Sequence, residues 1–258
     1  MTQRLGTILV ATIVCLSALP FVGSAGSTVW AASKTPAVPA VKKQIALEPV
    51  AADQFGAQLL PVAQQAGASV EVVQLALRAV ECGVASGDIG MPTTLTVIDY
   101  SLPSTDPRLW VFDVATGRVL FKELVAHGKG TGENMAEHFS DDMNSHQTSL
   151  GLFVTRDTYV GSNGYSLRLD GLEPGFNSRA RERAIVMHGA PYVDADFAAK
   201  QGRLGRSWGC PALRAAIAHQ VIDTVQGGGV IFSYYPDQTW LKRSRFLNCG
   251  ASAAVATN

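Results

Sequence analysis

Short β-rich runs constrain the fold of this chain more than any other feature. The runs are rich in apolar and β-branched residues, and segments containing Pro or Gly separate most of them. They cover residues 95–100, 109–114, 118–125, 145–155, 165–169, 184–188 and 230–235. Between the second and third runs, Ala115-Thr116-Gly117 is typical of a hairpin turn. This pattern predicts a mainly β domain over residues 94–247.

Helical patterns flank the β-rich region. Within residues 49–90, apolar residues recur at three- and four-residue spacing, and Ser69 fits the N-cap of the second helix. We expect this helical N-terminal region to pack on the β domain, with a separate binding module as the alternative. Residues 212–225 also have a helical period, which ends at a run of glycines. The polar segment 177–183 is predicted to be exposed.

The first 31 residues have the features of a secretory signal peptide. Arg4 supplies a positive charge, residues 8–22 form a short apolar core, and the small residues Gly23 and Ala25 follow. This core is shorter than the about 20 residues that a spanning helix needs. We therefore expect cleavage and export to the periplasm or cell envelope, with an uncleaved anchor as the alternative. No later stretch of the sequence is predicted to span a membrane.

Length and charge set broad limits on the rest of the chain. Its 258 residues suit one sizeable domain with terminal extensions. Residues 32–48, rich in Pro, Ala and Lys, are predicted to be a flexible linker, and residues 248–258 a disordered tail. The formal net charge of zero gives no support for a nucleic-acid partner, which a basic protein would favour.

Export affects how the cysteines are interpreted, because disulfides persist in oxidising compartments. After signal cleavage Cys82, Cys210 and Cys249 remain. If Cys210 is a reactive thiol, the other two are free to pair, which would close a long loop and contribute about 2–4 kcal/mol. The alternative is two unpaired thiols, and the sequence leaves both possibilities open.

His188 and Cys210 supply the parts of an acyl-transfer site. His188 follows an apolar run directly, and Cys210 follows the small residue Gly209 in a Gly-rich turn. A thiol becomes a good nucleophile when a base removes its proton, and an imidazole can take that proton and later return it to a leaving group. A glycine before the thiol lets backbone N–H groups approach a developing oxyanion.

The same stretch resembles the YkuD-type L,D-transpeptidase catalytic domain, in particular the murein L,D-transpeptidase branch. The resemblance is carried by H-G-A followed by R-L-G-R-S-W-G-C-P-A. Upstream it extends through L-P-S-T-D-P-R-L-W-V-F-D, S-H-Q-T-S-L-G-L-F-V-T and Y-S-L-R-L-D-G-L-E, so that it covers about residues 94–247. It implies a YkuD-like β-sandwich catalytic domain, here preceded by a helical region.

The resemblance also implies roles for individual residues. Cys210 would be the nucleophile, His188 the general base and acid, and the Gly189 carbonyl the group that orients the imidazole. The backbone N–H groups of Trp208, Gly209 and Cys210 would stabilise the oxyanion. The chain departs from many members at Trp208, where they have a second histidine that could transfer a proton.

Further residues are candidates for substrate binding. Arg206 or Arg214 could bind a carboxylate of a stem peptide through a bidentate fork, or either could be a solvated surface charge. Ser207 and His146 are candidate contacts beside the nucleophile and the strand that precedes the site. The sequence has no close pair of metal ligands, so no metal site is predicted.

The expected activity is that of an exported cysteine acyltransferase acting on peptidoglycan stem peptides. Attack by Cys210 would expel a terminal D-Ala and leave a thioester, which an amine would resolve to a 3→3 crosslink. Water would instead give L,D-carboxypeptidase or hydrolase activity. A non-catalytic cell-wall-binding protein on the same fold is the alternative from another class. No cofactor is expected.

Overall fold

A computed structural model describes residues 56–249 of the chain. The predicted signal peptide, the predicted linker and residues 250–258 lie outside the described residues. The helices are α1 Leu59–Gln65, α2 Val70–Ala85, α3 Ala195–Gln201, α4 Ala215–Val225 and α5 Gln238–Arg243. The strands are β1 Thr94–Asp99, β2 Leu109–Asp113, β3 Val119–Glu123, β4 Val125–Ala126, β5 Gly151–Gly161, β6 Gly164–Gly171, β7 Val186–Ala190, β8 Ala212–Arg214 and β9 Val230–Tyr234.

The nine strands form one continuous sheet in the order β3-β2-β1-β9-β5-β6-β7-β8-β4. Neighbouring strands are antiparallel except for the parallel pairs β1 with β9 and β7 with β8. Strands β3 and β4 stand at opposite ends of this order, yet only Leu124 separates them in the chain. The sheet must therefore curl until its edges meet, which gives a nearly closed barrel. The predicted mainly β class with flanking helices is confirmed. The layers of the predicted sandwich belong to one continuous sheet that folds over on itself.

The two faces of the sheet carry different hydrophobic cores. Alternate residues of a strand point to opposite faces, so Val97 contributes to one core and its neighbour Ile98 to the other. Helix α2 covers the first core, where Val73, Ala76 and Val80 are fully buried. Burial of each of the two valine side chains contributes about 1.5–3 kcal/mol. The N-terminal helices of the described region thus pack directly on the sheet.

Helix α4 covers the second core with Val221, Ile222 and Val225. The sequence pattern predicted one helix over residues 212–225, and its first turn was wrong. Ala212–Arg214 is strand β8, because it pairs with β7 on one side and with β4 on the other. These pairings satisfy backbone groups that a helix would otherwise use, and they override helix propensity.

Two short helices were not predicted from the sequence. Asp194 caps α3 by accepting the Phe197 N–H at 2.9 Å, and Asp237 caps α5 by accepting the Trp240 N–H at 2.7 Å. Both helices are shorter than two full turns, which is too short to show a clear apolar periodicity in the sequence. Their formation depends on the capping residues and on packing against the rest of the protein. Helix α5 docks through Trp240, which is fully buried.

A disulfide joins Cys82 on α2 to Cys249, with 5.9 Å between the two Cα atoms. Of the two possibilities for this pair, the disulfide is therefore the one found, and Cys210 is a free thiol. Asn248 donates from its side-chain amide to the Ser244 carbonyl at 2.8 Å. The first two residues of the predicted tail, Asn248 and Cys249, are thus held by contacts with the rest of the described chain.

Candidate active site

Cys210 lies in a tight turn that leads into β8. The preceding Gly209 has φ +118°, and a Cβ atom there would lie 2.7 Å from the Gln147 carbonyl oxygen, so the position requires glycine. Ser207 fixes the turn from inside, because its hydroxyl donates to the Cys210 carbonyl at 2.6 Å and accepts the Gly209 N–H at 3.1 Å. The turn therefore holds the thiol in one place before any substrate arrives.

The Cys210 thiol is buried, with 8% of the residue exposed. Its sulfur accepts the Val186 N–H at 3.4 Å and donates toward the Ala184 carbonyl at 3.7 Å. Burial raises the pKa of the thiol, because the charged thiolate loses solvation, while the Val186 N–H and the positive charge of Arg183 oppose this rise. The resting group is a neutral thiol, and a base has to remove its proton.

His188 lies on β7, beside Ala212 of the parallel strand β8. Its Nδ1 atom is 3.0 Å from the Gly189 carbonyl oxygen. A carbonyl can only accept, so Nδ1 carries the hydrogen and the neutral ring has its lone pair on Nε2. Burial lowers the pKa of His188, which keeps the ring neutral near pH 7. The imidazole is thus in the form that a general base requires.

The pairing of β7 with β8 explains how residues far apart in sequence reach one site. Ala212 follows Cys210 by two positions, and Val186, which touches the sulfur, lies on the same face of β7 as His188. Within residues 56–249 no hydrogen bond joins the two side chains. Catalytic hydrogen bonds often tighten only with substrate bound, so the roles of His188 and Cys210 stay predictions.

The backbone donors near the thiol are not equivalent. The Gly209 N–H already donates to Ser207 Oγ. Within residues 56–249, the N–H groups of Trp208 and Cys210 have no acceptor. Of the three groups predicted to stabilise an oxyanion, these two are available without rearrangement.

Trp208 forms an aromatic surface two positions before Cys210. It is 68% exposed, and its ring stacks on His146 with 4.8 Å between the centroids and 19° between the planes. The ammonium group of Lys129 lies 5.7 Å from the indole centroid. The His146 backbone has φ +54°, and its carbonyl accepts the Gly130 N–H at 3.0 Å. Local hydrogen bonding thus holds this stack next to Cys210.

The other candidate binding residues are engaged within the protein. Arg214 donates from two nitrogens to both carboxylate oxygens of Glu123, each at 2.7 Å, and so links β8 to β3. Arg206 donates to Glu133 at 2.7 Å and to the Gly132 carbonyl at 2.9 Å. The Ser207 hydroxyl is committed to the turn. The geometry gives these three residues structural partners, while His146 borders the exposed surface.

A groove of about 510 Å³ opens beside Arg206. Its lining includes Lys129, Glu133, Glu137 and His138, so it presents both charge signs. Lys129, Gly130 and Gly132 place the polar loop 127–132 along one side of this groove. A volume of this size is in the range of small-molecule sites.

Sequence reasoning missed Arg183 and Tyr192, which lie close to the thiol. The segment 177–183 was predicted to be exposed, and this was wrong at Asn177, which is fully buried, and at Arg183, whose side chain is 3% exposed. Burial raises the pKa of Tyr192 to about 12, and the charge of Cys210 adds to the effect. No local pattern identifies either residue, because distant loops bury them.

The match to a known family decides what this site belongs to. The model of the L,D-transpeptidase catalytic domain matches residues 64–234, which is more than half of the chain. The chain belongs to the L,D-transpeptidase catalytic domain family. The match includes His188, Cys210 and the helix α2 that packs on the sheet. A comparison with curated proteins gave no match.

Solved structures with a similar fold include other L,D-transpeptidases. One from Mycobacterium smegmatis has 18% identity and a TM-score of 0.36, over 55% of this chain and 59% of that one. One from Stackebrandtia nassauensis has 12% identity and a TM-score of 0.35, over 70% and 74%. A helical cell shape determining protein from Campylobacter jejuni has 14% identity and a TM-score of 0.36, over 70% and 65%. This L,D-transpeptidase domain thus spans less than two thirds of the first of these structures.

Two further features bear on partners of this L,D-transpeptidase domain. Between residues 56 and 249, no group of three His, Cys, Asp or Glu side chains could hold a metal ion. None of the helices in that part of the chain is long and apolar enough to cross a membrane.

Proposed function

We propose that this protein is a cysteine acyltransferase of peptidoglycan that forms a thioester on Cys210 and makes 3→3 crosslinks. The observation that carries the proposal is the state of His188. Its Nδ1–H is fixed on the Gly189 carbonyl, and its lone pair is on Nε2, on the strand that pairs with the continuation of the Cys210 turn. A neutral base beside a neutral thiol suits attack coupled to proton transfer.

In the first half of the reaction, the Cys210 sulfur attacks the amide carbonyl on the L-centre of the third stem residue. The thiol proton passes to His188 Nε2, and the N–H groups of Trp208 and Cys210 stabilise the oxyanion. Collapse of the tetrahedral intermediate breaks the C–N bond. The imidazolium returns its proton to the departing D-Ala amine, and a thioester remains on Cys210.

In the second half, the acceptor decides the product. A side-chain amine on another stem attacks the thioester, His188 takes the amine proton, and the Cys210 sulfur leaves to regain it. The result is a 3→3 crosslink. Water in place of the amine gives a shortened stem, which is L,D-carboxypeptidase or hydrolase activity. Both outcomes use the same residues and no cofactor.

The proposal is tested by mass spectrometry of muropeptides after incubation of the protein with disaccharide tetrapeptides. We expect dimers that lack one D-Ala, and their absence with the Cys210→Ala variant, which keeps the fold by circular dichroism. If only tripeptides form, the activity is L,D-carboxypeptidation and not transpeptidation. A folded protein that gives neither product would contradict both and favour a wall-binding protein with an inert thiol.

We also propose that the protein is exported, as its substrate requires. The support is the sequence of residues 1–31, with Arg4 before an apolar core and small residues after it. N-terminal sequencing of protein recovered from the cell envelope tests this. Loss of the segment is expected, whereas an intact N-terminus in a membrane fraction would indicate an uncleaved anchor.

A further inference from the structure

Arg183 is a buried arginine with an unusual set of partners. Its guanidinium donates to the Ser140 carbonyl at 2.7 Å, to Ser149 Oγ at 2.6 Å and to the Gln147 carbonyl at 2.6 Å. A fourth bond reaches Ser145 Oγ at 3.2 Å. All four acceptors are neutral. The guanidinium thus fastens the loop 140–149, which carries the stacking partner of Trp208.

The countercharge of Arg183 is incomplete. The nearest carboxylate oxygen, on Asp141, is 3.9 Å away, which is longer than a hydrogen bond. Asp141 instead accepts the Arg179 N–H at 3.0 Å and the Ser178 hydroxyl at 3.2 Å. A buried positive charge that is only partly neutralised acts over a longer range than one on the surface.

The same guanidinium lies against the turn of the nucleophile. Arg183 directly precedes Ala184, whose carbonyl accepts from the Cys210 thiol at 3.7 Å. Its Nη2 atom is 3.4 Å from the place where a Cβ of Gly209 would stand. A larger residue at position 209 would therefore press on this guanidinium as well as on the Gln147 carbonyl.

We propose that Arg183 is a positioning residue that favours the thiolate form of Cys210 and, through the loop 140–149, fixes the turn in which that thiolate forms. The proposal rests on the proposed role of Cys210 as nucleophile.

The other titratable groups around the thiol carry no positive charge that could stabilise the thiolate. His188 lies on β7, Tyr100 follows β1 and Tyr192 follows β7. Burial lowers the pKa of His188 and raises the pKa of both tyrosines, so all three are uncharged near neutral pH. Arg183 lowers the pKa of the Cys210 thiol against the effect of burial. The negative charges of Asp141 and Asp142 raise the pKa of Arg183, and the positive charge of Arg179 lowers it.

The experiment is a pH titration of the thiolate by its ultraviolet absorbance, which needs no access to the buried sulfur. Each variant is measured against the same protein with Cys210→Ala, so that tyrosines and other thiols cancel. With Arg183→Met we expect the thiol pKa to rise by about one unit or more, the size of effect that a nearby opposite charge has. Arg183→Lys keeps the charge but loses the fork, and an intermediate rise is expected.

Arg179→Met is the matched control. This arginine stands in the same segment, but its side chain is 42% exposed and pairs with Glu182. Because solvent screens this exposed charge, its removal should change the thiol pKa much less than Arg183→Met does. A folded Arg183→Met protein with an unchanged thiol pKa would overturn the proposal and reduce Arg183 to a structural clamp of the loop.

Asp141→Asn keeps the test decisive if Arg183→Met does not fold. The amide oxygen can still accept the Arg179 N–H, but the negative charge near Arg183 is gone. We expect the thiol pKa to fall, opposite in sign to the Arg183 variants, and an unchanged or higher value would overturn the proposal. The titration is independent of turnover, so a wild-type protein without muropeptide products would refute the proposed function and leave this result readable.

Discussion

Two buried histidines, His127 and His188, show how hydrogen-bond partners set the tautomer of an imidazole. Both are almost fully buried, and burial lowers the pKa of both. His127 accepts a hydrogen bond from Arg108 Nη2 on Nδ1 at 2.7 Å, so its hydrogen is on Nε2, 3.3 Å from the Gly132 carbonyl. Both nitrogens of His127 are therefore engaged.

His188 has the opposite tautomer. Its Nδ1–H donates to the Gly189 carbonyl, and within residues 56–249 its Nε2 has no hydrogen-bond partner. Within the described residues the lone pair of His188 is thus unused, whereas the lone pair of His127 is used to satisfy a buried guanidinium. The two residues are alike in type and burial, and the neighbour of Nδ1 determines which ring nitrogen carries the hydrogen.

The largest expected effect separates the two histidines by activity. His188→Gln should lower the rate of thioester formation by about 10²–10⁴-fold, the usual contribution of a general base. His127→Asn, which retains an acceptor for Arg108, should leave the rate within a few-fold of wild type. Muropeptide product formation measures both. Equal losses in the two variants would break the comparison and point to a shared structural role.

The next effect concerns stability in acid. The pKa of His127 falls to about 4 in the folded protein, from 6.5 in an unfolded chain. Between these values the unfolded chain binds a proton that the folded protein does not, so this group makes stability fall as pH falls from 6.5 to 4. The slope is about 1.4 kcal/mol per pH unit. It vanishes below the folded pKa, where both states are protonated.

Denaturant unfolding of wild type and His127→Asn across this window measures that slope. Asparagine does not titrate, so the difference in unfolding free energy between the two proteins should shrink as pH falls. His127→Leu is the companion variant, because it leaves an Arg108 N–H unpaired and should cost about 1–3 kcal/mol at neutral pH. A difference that stays constant with pH would mean that His127 is already charged in the folded protein.

Much of this arrangement could be predicted from the sequence, because local patterns determine it. His188 follows an apolar β-like run and lies within strand β7, and Cys210 follows a glycine in the turn that leads into β8. Ser69 was recognised as the cap of α2, and its side chain does accept the Val72 N–H at 3.3 Å. Local signals of this kind need no knowledge of distant segments.

What the sequence could not provide depends on contacts between distant segments. Ala212–Arg214 has helical character and becomes a strand only because β7 and β4 lie on either side of it. Arg183 stands in a polar run and is buried by the loop 140–149. The Cys82–Cys249 disulfide spans 167 positions, so only the folded chain selects it from two unpaired thiols. The tautomers of the two histidines could not be predicted either, because they depend on hydrogen-bond partners that only the folded structure shows.

The smallest expected effect is on the pH dependence of activity, which tests whether His188 is neutral at rest. The acid limb of kcat/KM reports protonation of the base in the free enzyme, and burial lowers the pKa of His188. Protonation of Nε2 removes the lone pair, so activity should fall only at pH values below 6.5, the ordinary histidine value. A limb at or above 6.5 would contradict the neutral resting state of the thiol–imidazole pair.

Ring ¹⁵N chemical shifts give an independent measure of the same difference. Assigned against His127→Asn and His188→Gln, the spectra should show the Nε2–H form for His127 and the Nδ1–H form for His188 at neutral pH. As pH falls, the His127 signals should shift only near its pKa of about 4, and the His188 signals only below the ordinary histidine pKa of 6.5. An Nε2–H form of His188 would remove the basis for assigning the base to this residue, because the Gly189 carbonyl would then no longer account for the orientation of the ring.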